Sequence, residues 1–390
     1  MSSLEGFRIL DLTQRLPGPL CSLILADMRM DVIKVEEPGK GDFCRHLPPF
    51  YNDEGALFVF LNRNKRSITL DLKSVEGREI FLKMVATADV LLEGFKPGFM
   101  ESLKLGYEEV KKTNPSIIYC SLSGYGQNGP YKDKAGHDIN YNALTGILAM
   151  TANESGPALP GILLADVASG LAAVIAILMG LLHREKGGQG HYIDVSMFDV
   201  LFSWFSLTNV VESIALDTFL TRGETTFTGK LACYQIYRTK DNQYVSLGAL
   251  EQKFWEQFCA TIGREDLRDG YLKEERQAYL KEELKQMFAS KEKDEWVNLF
   301  ADKDCCFEPV KSVKESLSDI QVLARRLIFE AGNSPERGMK QINQPFKSSV
   351  LKDPPYYSSP PLLGEHTKSI LLELGFSPKE IGQYRDKGVV

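Results

Sequence analysis

The first two hundred residues alternate short, mostly apolar runs with segments of helical periodicity. The runs are rich in Val, Ile and Leu, as expected for strands buried on both faces of a sheet. We predict strands at residues 7–13, 31–36, 68–72, 89–93, 116–122 and 191–195, and helices at about residues 17–25, 75–86, 161–182 and 197–216. Alternation of this kind predicts an open parallel α/β sheet.

The pattern changes after a polar, glycine-bearing connection at residues 221–229. Extended runs at residues 234–239 and 243–248 flank Asp241-Asn242, which is a hairpin signal. Charged helical patterns follow at about residues 272–290 and 294–301, which predicts a smaller α+β domain. Near the end, the stretch Ser377-Pro-Lys-Glu380 predicts a capping box that starts a last short helix.

The apolar stretch at residues 161–182 is long enough to span a bilayer. Asp166 is its single charge and would be unfavourable there, while its many small residues suit close packing inside a protein. We therefore predict a buried central helix and no membrane span.

Charge and cysteine usage exclude several classes of protein. The formal net charge of −6 argues against general nucleic-acid binding, which normally needs a basic excess. The seven cysteines are scattered and form no CxxC pair, so we expect no disulfide framework and no zinc site. The first residues lack the basic and apolar regions of a signal peptide, and we expect a cytoplasmic protein.

The stretch Gly124-Tyr-Gly-Gln-Asn-Gly129 matches GxGxxG and follows a predicted strand. The residues after it, Pro130-Tyr-Lys-Asp-Lys134, do not form an apolar helix, and the first strand is followed by Leu16-Pro-Gly-Pro19 instead. The context therefore disfavours dinucleotide binding. The glycines are expected to shape a loop.

Candidate chemistry lies between residues 135 and 166. His137 follows Gly136 at a predicted helix start, and Asp166 begins an apolar helix. An imidazole and a carboxylate in apolar surroundings are suited to proton transfer or nucleophilic attack. The basic cluster at residues 62–66 and Lys96 are candidates for contacts to a phosphate-bearing ligand.

Five segments of the chain resemble signatures of the family III CoA-transferase (CaiB/BaiF) superfamily, and within it the α-methylacyl-CoA racemases. They lie at residues 6–12, 31–36, 91–98, 124–130 and 364–367. The resemblance implies an α/β fold with a large Rossmann-like CoA-binding domain built from both chain ends. We assign it residues 1–200 and 326–390, followed by a linker helix and connection at 201–228 and a small α+β domain at 229–325. It also implies an interlocked homodimer.

The stretch Ala135-Gly-His-Asp-Ile-Asn-Tyr141 is similar to the racemase motif. The resemblance implies that His137 and Asp166 are the two acid/base groups, that Glu251 orients the imidazole and that the backbone N–H of Asp138 stabilises an enolate. No metal or redox cofactor is expected, since CoA enters as part of the acyl-CoA substrate. Its contacts are expected at Lys65, Arg66, Leu72, Lys73, Gly94, Phe95, Lys96, Gly98 and Tyr141.

Two alternatives stay open. In a CoA-transferase, Asp166 would attack the donor thioester, and His137 would only bind. In a non-enzymatic acyl-CoA binder, neither residue would react. Two positions depart from the racemase pattern: Ile162 stands where racemases tend to have asparagine, and Glu37 where they may have an arginine that contacts the adenine.

Overall fold

The computed structural model of the protein describes residues 4–152, 156–205, 210–331, 339–349 and 357–390. The strands are β1 (Arg8–Asp11), β2 (Asp31–Glu36), β3 (Phe50–Tyr51), β4 (Glu54–Gly55), β5 (Lys65–Thr69), β6 (Val90–Glu93), β7 (Ile118–Ser123), β8 (His191–Ser196), β9 (Tyr234–Arg238), β10 (Tyr244–Gly248), β11 (Phe307–Pro309), β12 (Ile328–Ala331) and β13 (Met339–Ile342). The α-helices are α1 (Pro17–Asp27), α2 (Ala56–Leu61), α3 (Val75–Val85), α4 (Phe99–Ser102), α5 (Tyr107–Thr113), α6 (Asp138–Leu144), α7 (Ile147–Met150), α8 (Leu164–Glu185), α9 (Met197–Phe205), α10 (Val211–Ala215), α11 (Gln252–Ile262), α12 (Gln277–Phe288), α13 (Lys293–Phe300), α14 (Val313–Leu317), α15 (Ile320–Ala324), α16 (Thr367–Glu373) and α17 (Pro378–Asp386).

The chain forms two compact units. The first comprises Met1–Thr145, Gly161–Ser203 and Leu323–Val390, and the second comprises Gly146–Pro160 and Trp204–Val322. The first unit thus contains both ends of the chain.

The first unit is built on a six-stranded sheet in which every pair of neighbours is parallel. Its spatial order is β5-β2-β1-β6-β7-β8. Counted along the chain, these strands have the order 3-2-1-4-5-6 of the doubly wound Rossmann fold. The predicted parallel α/β sheet is confirmed.

Helices cover both faces of this sheet because successive strand residues point to opposite sides. On one face, Leu10 and Leu91 join a core that includes α3 and the C-terminal helices α16 and α17. On the other face, Ile9 and Val90 pack with α1 and α8. The predicted capping box of Ser377 and Glu380 is present at the start of α17.

The third predicted strand is displaced. Residues 68–72 were expected to be extended, but β5 spans Lys65–Thr69. Lys65 and Ser67 are buried polar residues that bind the carboxylates of Asp11 and Glu36. The strand therefore begins within a polar stretch that the apolar pattern does not reveal.

Helix α8 is the one helix of the described residues that is long and apolar enough to cross a membrane. Half of its most apolar window is buried, and Ala173, Ile177 and Leu181 belong to the core beside the sheet. Length and composition alone are weak evidence for a span, because core helices of soluble proteins have the same properties.

The second unit contains the antiparallel sheet β11-β10-β9. The predicted hairpin around Asp241-Asn242 is confirmed by the pairing of β9 with β10. Trp255, Phe258 and Phe288 lie in its core. The helix predicted at residues 272–290 corresponds to α12, which is shorter than predicted. The helix predicted at 197–216 corresponds to α9 and α10, and residues 206–209 between them lie outside the described part.

Candidate active site

A cavity of about 670 Å³ opens at the carboxyl ends of the parallel strands. Its walls come from the segments after β1, β6 and β7, from residues 132–137, and from α6 and α8. The strand order reverses between β1 and β6, and open parallel sheets bind ligands at this switch point. The volume is in the range of small-molecule sites.

Buried charges fix the segment that follows β1. The Asp11 carboxylate accepts hydrogen bonds from the backbone N–H and the hydroxyl of Thr13. Burial alone would raise the pKa of Asp11, but Lys34 and Lys65 lower it to about 2. The Lys34 ammonium also donates to the Thr13 carbonyl oxygen over 2.8 Å. Hydrogen bonds that join the buried Asp11 and Lys34 side chains to Thr13 therefore fix this part of the cavity wall.

Two further carboxylates hold the segments after β6 and β7. Glu93 accepts a hydrogen bond from the backbone N–H of Phe95 over 2.8 Å, and Asp194 accepts one from Gln127 over 2.9 Å. Burial raises the pKa of Glu93 to about 7 and also raises that of Asp194. These groups position the cavity wall and do not line it.

The side chain of Asp138 links the first turns of α6 and α8. Its Oδ1 accepts hydrogen bonds from the backbone N–H groups of Ala165 at 2.6 Å and Asp166 at 3.4 Å. Its Oδ2 accepts a hydrogen bond from Asn142 at 2.7 Å. A helix leaves its first N–H groups without intrahelical acceptors, and the carboxylate satisfies two of those of α8. This contact fixes the start of α8 relative to that of α6.

His137 and Asp166 both border the cavity. His137 precedes α6 and is exposed, and its backbone N–H donates to Asn140 Oδ1. Asp166 is partly buried in the first turn of α8. Burial raises the pKa of Asp166 to about 6, with a smaller contribution from the Asp138 carboxylate, while Arg15 acts in the opposite direction. The pKa of Asp166 therefore lies within about one unit of neutral pH, which is a value suited to a group that exchanges protons.

Tyr141 fits into the cavity wall because two neighbours are glycines. A Cβ at Gly124 would lie 2.3 Å from the Tyr141 hydroxyl oxygen, and one at Gly136 would lie 2.9 Å from its ring. Burial raises the pKa of the phenol to about 12, so it stays protonated at neutral pH. Two glycines of the sequence motifs thus have a steric role.

The cavity offers unsatisfied polar groups and cations. The Ser123 and Tyr125 hydroxyls are buried there and have no hydrogen-bond partner among the described residues. The cations Lys96, Lys132 and Lys134 also border it. A ligand with polar atoms and negative charge would satisfy both sets. In the described part of the chain, no group of three or more His, Cys, Asp or Glu side chains could hold a metal ion.

The structure gathers part of the predicted site. The predicted residues that border the cavity are Gly94, Phe95, Lys96, His137, Tyr141 and Asp166. Asp138 is buried and does not border the cavity. Its backbone N–H starts α6 and thus belongs to the groups that a helix leaves free.

Other predicted contacts lie elsewhere. The ammonium of Lys65 is buried and bound by Asp11, Ser22 and Asn62, which leaves it inaccessible to a ligand. Arg66 binds Asp31 and Glu373.

Three further CoA contacts were expected near these segments. Leu72 packs against the core, Lys73 pairs with Glu37, and Gly98 precedes α4 with φ +83°. Glu251 precedes α11 in the second unit, and its contact with His137 stays a prediction.

Sequence analysis missed Arg15, Ser123 and Tyr125 as cavity residues. Arg15 follows β1 and the other two end or follow β7. Their positions after parallel strands were a usable signal, because such segments line ligand sites. Which segments meet depended on the strand order, which the pattern did not determine.

The profile of CoA-transferase family III matches residues 4–367. The chain belongs to this family, as the sequence resemblance predicted. It is 36% identical over 388 residues to succinyl-CoA:glutarate CoA-transferase of Mus musculus, covering 96% of this chain and 87% of the relative. It is also 33% identical over 395 residues to α-methylacyl-CoA racemase of Homo sapiens, covering 100% and 97%.

The fold has a counterpart among solved structures. The crystal structure of a CAIB/BAIF family protein from Brucella suis superposes with a TM-score of 0.81 at 29% identity, covering 96% of this chain and 99% of that one. The relatives thus include both transferases and racemases at similar identity, and the family is an enzyme family.

Proposed function

We propose that the protein is an isomerase that inverts the α-carbon of 2-methyl-branched acyl-CoA thioesters. The observation that supports this best is that His137 and Asp166 border one cavity, with Asp138 fixing the helix starts that carry them. A racemase needs an acid and a base on opposite faces of one carbon.

The proposed reaction needs no external reactant. The Asp166 carboxylate takes the α-proton, the C–H bond breaks, and its electron pair moves into the thioester as an enolate. Protonated His137 then delivers a proton to the opposite face, and a new C–H bond forms. For the other enantiomer the two groups exchange roles. The backbone N–H of Asp138 is proposed to bind the enolate oxygen and Glu251 to orient the imidazole.

The cations around the cavity support an acyl-CoA substrate. Lys96, Lys132 and Lys134 lie on its border, and ammonium groups bind phosphates. The unpartnered hydroxyls of Ser123 and Tyr125 would donate to polar atoms of the pantetheine arm. No resident cofactor is required by this chemistry.

The test is exchange of the α-proton in deuterated water. One enantiomer of a 2-methylacyl-CoA is incubated without an acceptor acid and followed by NMR and chiral analysis. We expect deuterium at the α-carbon together with loss of optical purity, and no loss of optical purity in His137→Ala, because inversion needs both groups. If both exchange and racemisation are absent with several different acyl chains, the proposal is refuted.

A CoA-transferase is the second candidate, because one relative of similar identity is named a succinyl-CoA:glutarate CoA-transferase. The Asp166 carboxylate would attack the thioester carbonyl, the C–S bond would break, and an aspartyl anhydride and CoA thiolate would form. The thiolate then attacks the aspartyl carbonyl, so that a thioester of Asp166 with CoA forms and the donor acid leaves as its carboxylate. The acceptor acid reverses these steps. Trapping of the Asp166 thioester by hydroxylamine, with activity retained in His137→Ala, would favour a transferase.

We also propose that the protein is a homodimer. Leu171, Ile175, Met179 and Leu182 form an exposed apolar stripe along α8. Contiguous apolar surface of this kind commonly marks an interface. Sedimentation equilibrium should give twice the chain mass for the wild type and a lower mass for Ile175→Asp. A monomeric wild type would refute the dimer.

A further inference from the structure

Arg15 has a backbone conformation that non-glycine residues seldom adopt. Its φ is +71°, in the left-handed region. The surrounding structure fixes this conformation, since its N–H donates to Asp42 Oδ1 over 3.3 Å and its carbonyl oxygen accepts from Cys44 Sγ over 3.6 Å. The side chain is thereby directed from a rigid support, and uncommon backbone conformations of this kind cluster at functional sites.

Arg15 borders the cavity, and no carboxylate of the described residues contacts its guanidinium. The guanidinium lies 4.8 Å from the centre of the Phe43 ring. Within the ranges that the structure describes, it forms no hydrogen bond or ion pair. Its positive charge nevertheless acts on Asp166, where it partly offsets the rise in pKa that burial causes. The first unit therefore holds an arginine on the same cavity as the carboxylate that is proposed to react.

Several other arginines of this unit are engaged, and the other cations that border the cavity among the described residues are lysines. Arg45, Arg63 and Arg66 bind carboxylates, and at the cavity Lys96 pairs with Asp133. The distinction matters because an arginine fork binds a carboxylate with two parallel hydrogen bonds, which an ammonium cannot do.

The position of Arg15 indicates which part of a substrate it meets. In an acyl-CoA, the long pantetheine arm separates the thioester from the phosphates. A thioester that reacts at Asp166 places its carbonyl and its acyl group in the cavity that Arg15 also borders. A guanidinium at that place is suited to a negative charge on the acyl group itself.

We propose that Arg15 is a specificity-determining residue that binds a second carboxylate carried by the acyl group, so that the preferred substrates are CoA thioesters of dicarboxylic acids. The inference rests on the proposed function in one respect, namely that the thioester carbonyl lies at Asp166. It adds the substrate class, which neither catalytic group specifies.

The experiment compares two unreactive CoA thioethers by calorimetry. S-(3-carboxypropyl)-CoA carries the terminal carboxylate, and S-(3-carbamoylpropyl)-CoA is its neutral match in size. Because hydrogen bonds between charged groups contribute about 1.5–3 kcal/mol, the wild type should bind the carboxylate about ten- to hundredfold more tightly.

Three variants locate the discrimination. Arg15→Gln should bind both thioethers equally, by losing affinity for the carboxylate alone. Arg15→Gly removes the side chain at a φ that glycine adopts freely, which guards against a backbone effect of the first variant. As the matched control, Lys132→Gln removes another cavity cation and should weaken both ligands by the same factor, with the preference intact.

Equal binding of the two thioethers by the wild type would overturn the inference. So would an equal loss for both in the Arg15 variants, which would place Arg15 near the phosphates or the pantetheine arm. Neither thioether has a carbonyl group at sulfur, so binding is independent of chemistry. A preserved carboxylate preference in an enzyme that turns over no acyl-CoA would therefore refute the proposed function and leave this inference standing.

Discussion

Replacing Asp166 with asparagine should stabilise the protein at neutral pH. The pKa of Asp166 is raised from its ordinary value of 3.8 to about 6, mainly by burial. The folded state thus opposes ionisation of this group, and an asparagine side chain at the same place would carry no charge to bury. Since one pKa unit corresponds to ~1.36 kcal/mol, the ionised carboxylate destabilises the fold by about 3 kcal/mol.

The pH dependence gives the sign of the effect. Below pH 3.8 the carboxyl is protonated in both the folded and the unfolded state, and Asp166 has no effect on stability. Between 3.8 and about 6 the folded state holds the proton more tightly, so wild-type stability falls as pH rises. The advantage of Asp166→Asn should therefore be complete above pH 6 and absent below pH 3.8.

The assay is thermal unfolding at pH 7.5 and again at the lowest pH where the fold persists. With an unfolding entropy of about 2.1 cal/mol/K per residue, 3 kcal/mol raises Tm by about 4 °C if the chain unfolds as one unit. Asp133→Asn is the control, because Asp133 is an exposed carboxylate at the same cavity and pairs with Lys96. An unchanged Tm, or the same gain at acid pH, would refute the reasoning. Gain of stability with loss of activity would fit a carboxylate kept for chemistry.

Three further predictions follow from the cavity wall. The rate of a reaction that needs ionised Asp166 should fall tenfold per pH unit below about pH 6. Asp138→Asn should move the midpoint of this pH profile to lower pH, because Asp138 raises the pKa of Asp166. An unchanged midpoint would contradict the effect of Asp138 on that pKa. Gly124→Ala should weaken acyl-CoA binding, measured by titration, because the new methyl group displaces the Tyr141 hydroxyl. Adding Tyr141→Phe should restore part of the lost affinity. Additive losses of affinity in the double variant would argue against the steric clash. Lys65→Met should destabilise the fold by about 3–5 kcal/mol in denaturant unfolding, because Asp11 loses one of its partners. The affinity for CoA should fall less in Lys65→Met than in Lys96→Met. A larger loss of CoA affinity in Lys65→Met would indicate that Lys65 contacts the ligand.

The sequence predicted elements best where the buried residues are apolar and the exposed residues are polar. Strand β2 has the bounds that the apolar run indicated, and the capping box at Ser377 is present. Strand β5 was displaced because Lys65 and Ser67 are buried as charged or hydrogen-bonded partners of other strands. A polar residue that is satisfied by a distant carboxylate looks, in the sequence alone, like an exposed one.

The site was predicted in the same partial way. His137, Tyr141 and Asp166 were found from local motifs and resemblance, and they border one cavity. The CoA contacts expected at Lys65 and Arg66 are engaged with carboxylates instead. Asp138 was expected to act through its backbone N–H, but its side chain also supports the first turn of α8. That contact joins residues 27 positions apart and follows from no local pattern.

By itself, the sequence determined the parallel α/β class, the family and the two titratable groups, because these are written in local periodicity and short motifs. Only the tertiary structure decided that the segments after β1, β6 and β7 share a cavity, because strand order depends on the packing of both sheet faces. It also decided the electrostatics. The raised pKa of Asp166, the buried pairing of Lys65 and the place of Arg15 at the cavity depend on neighbours that are distant in the chain.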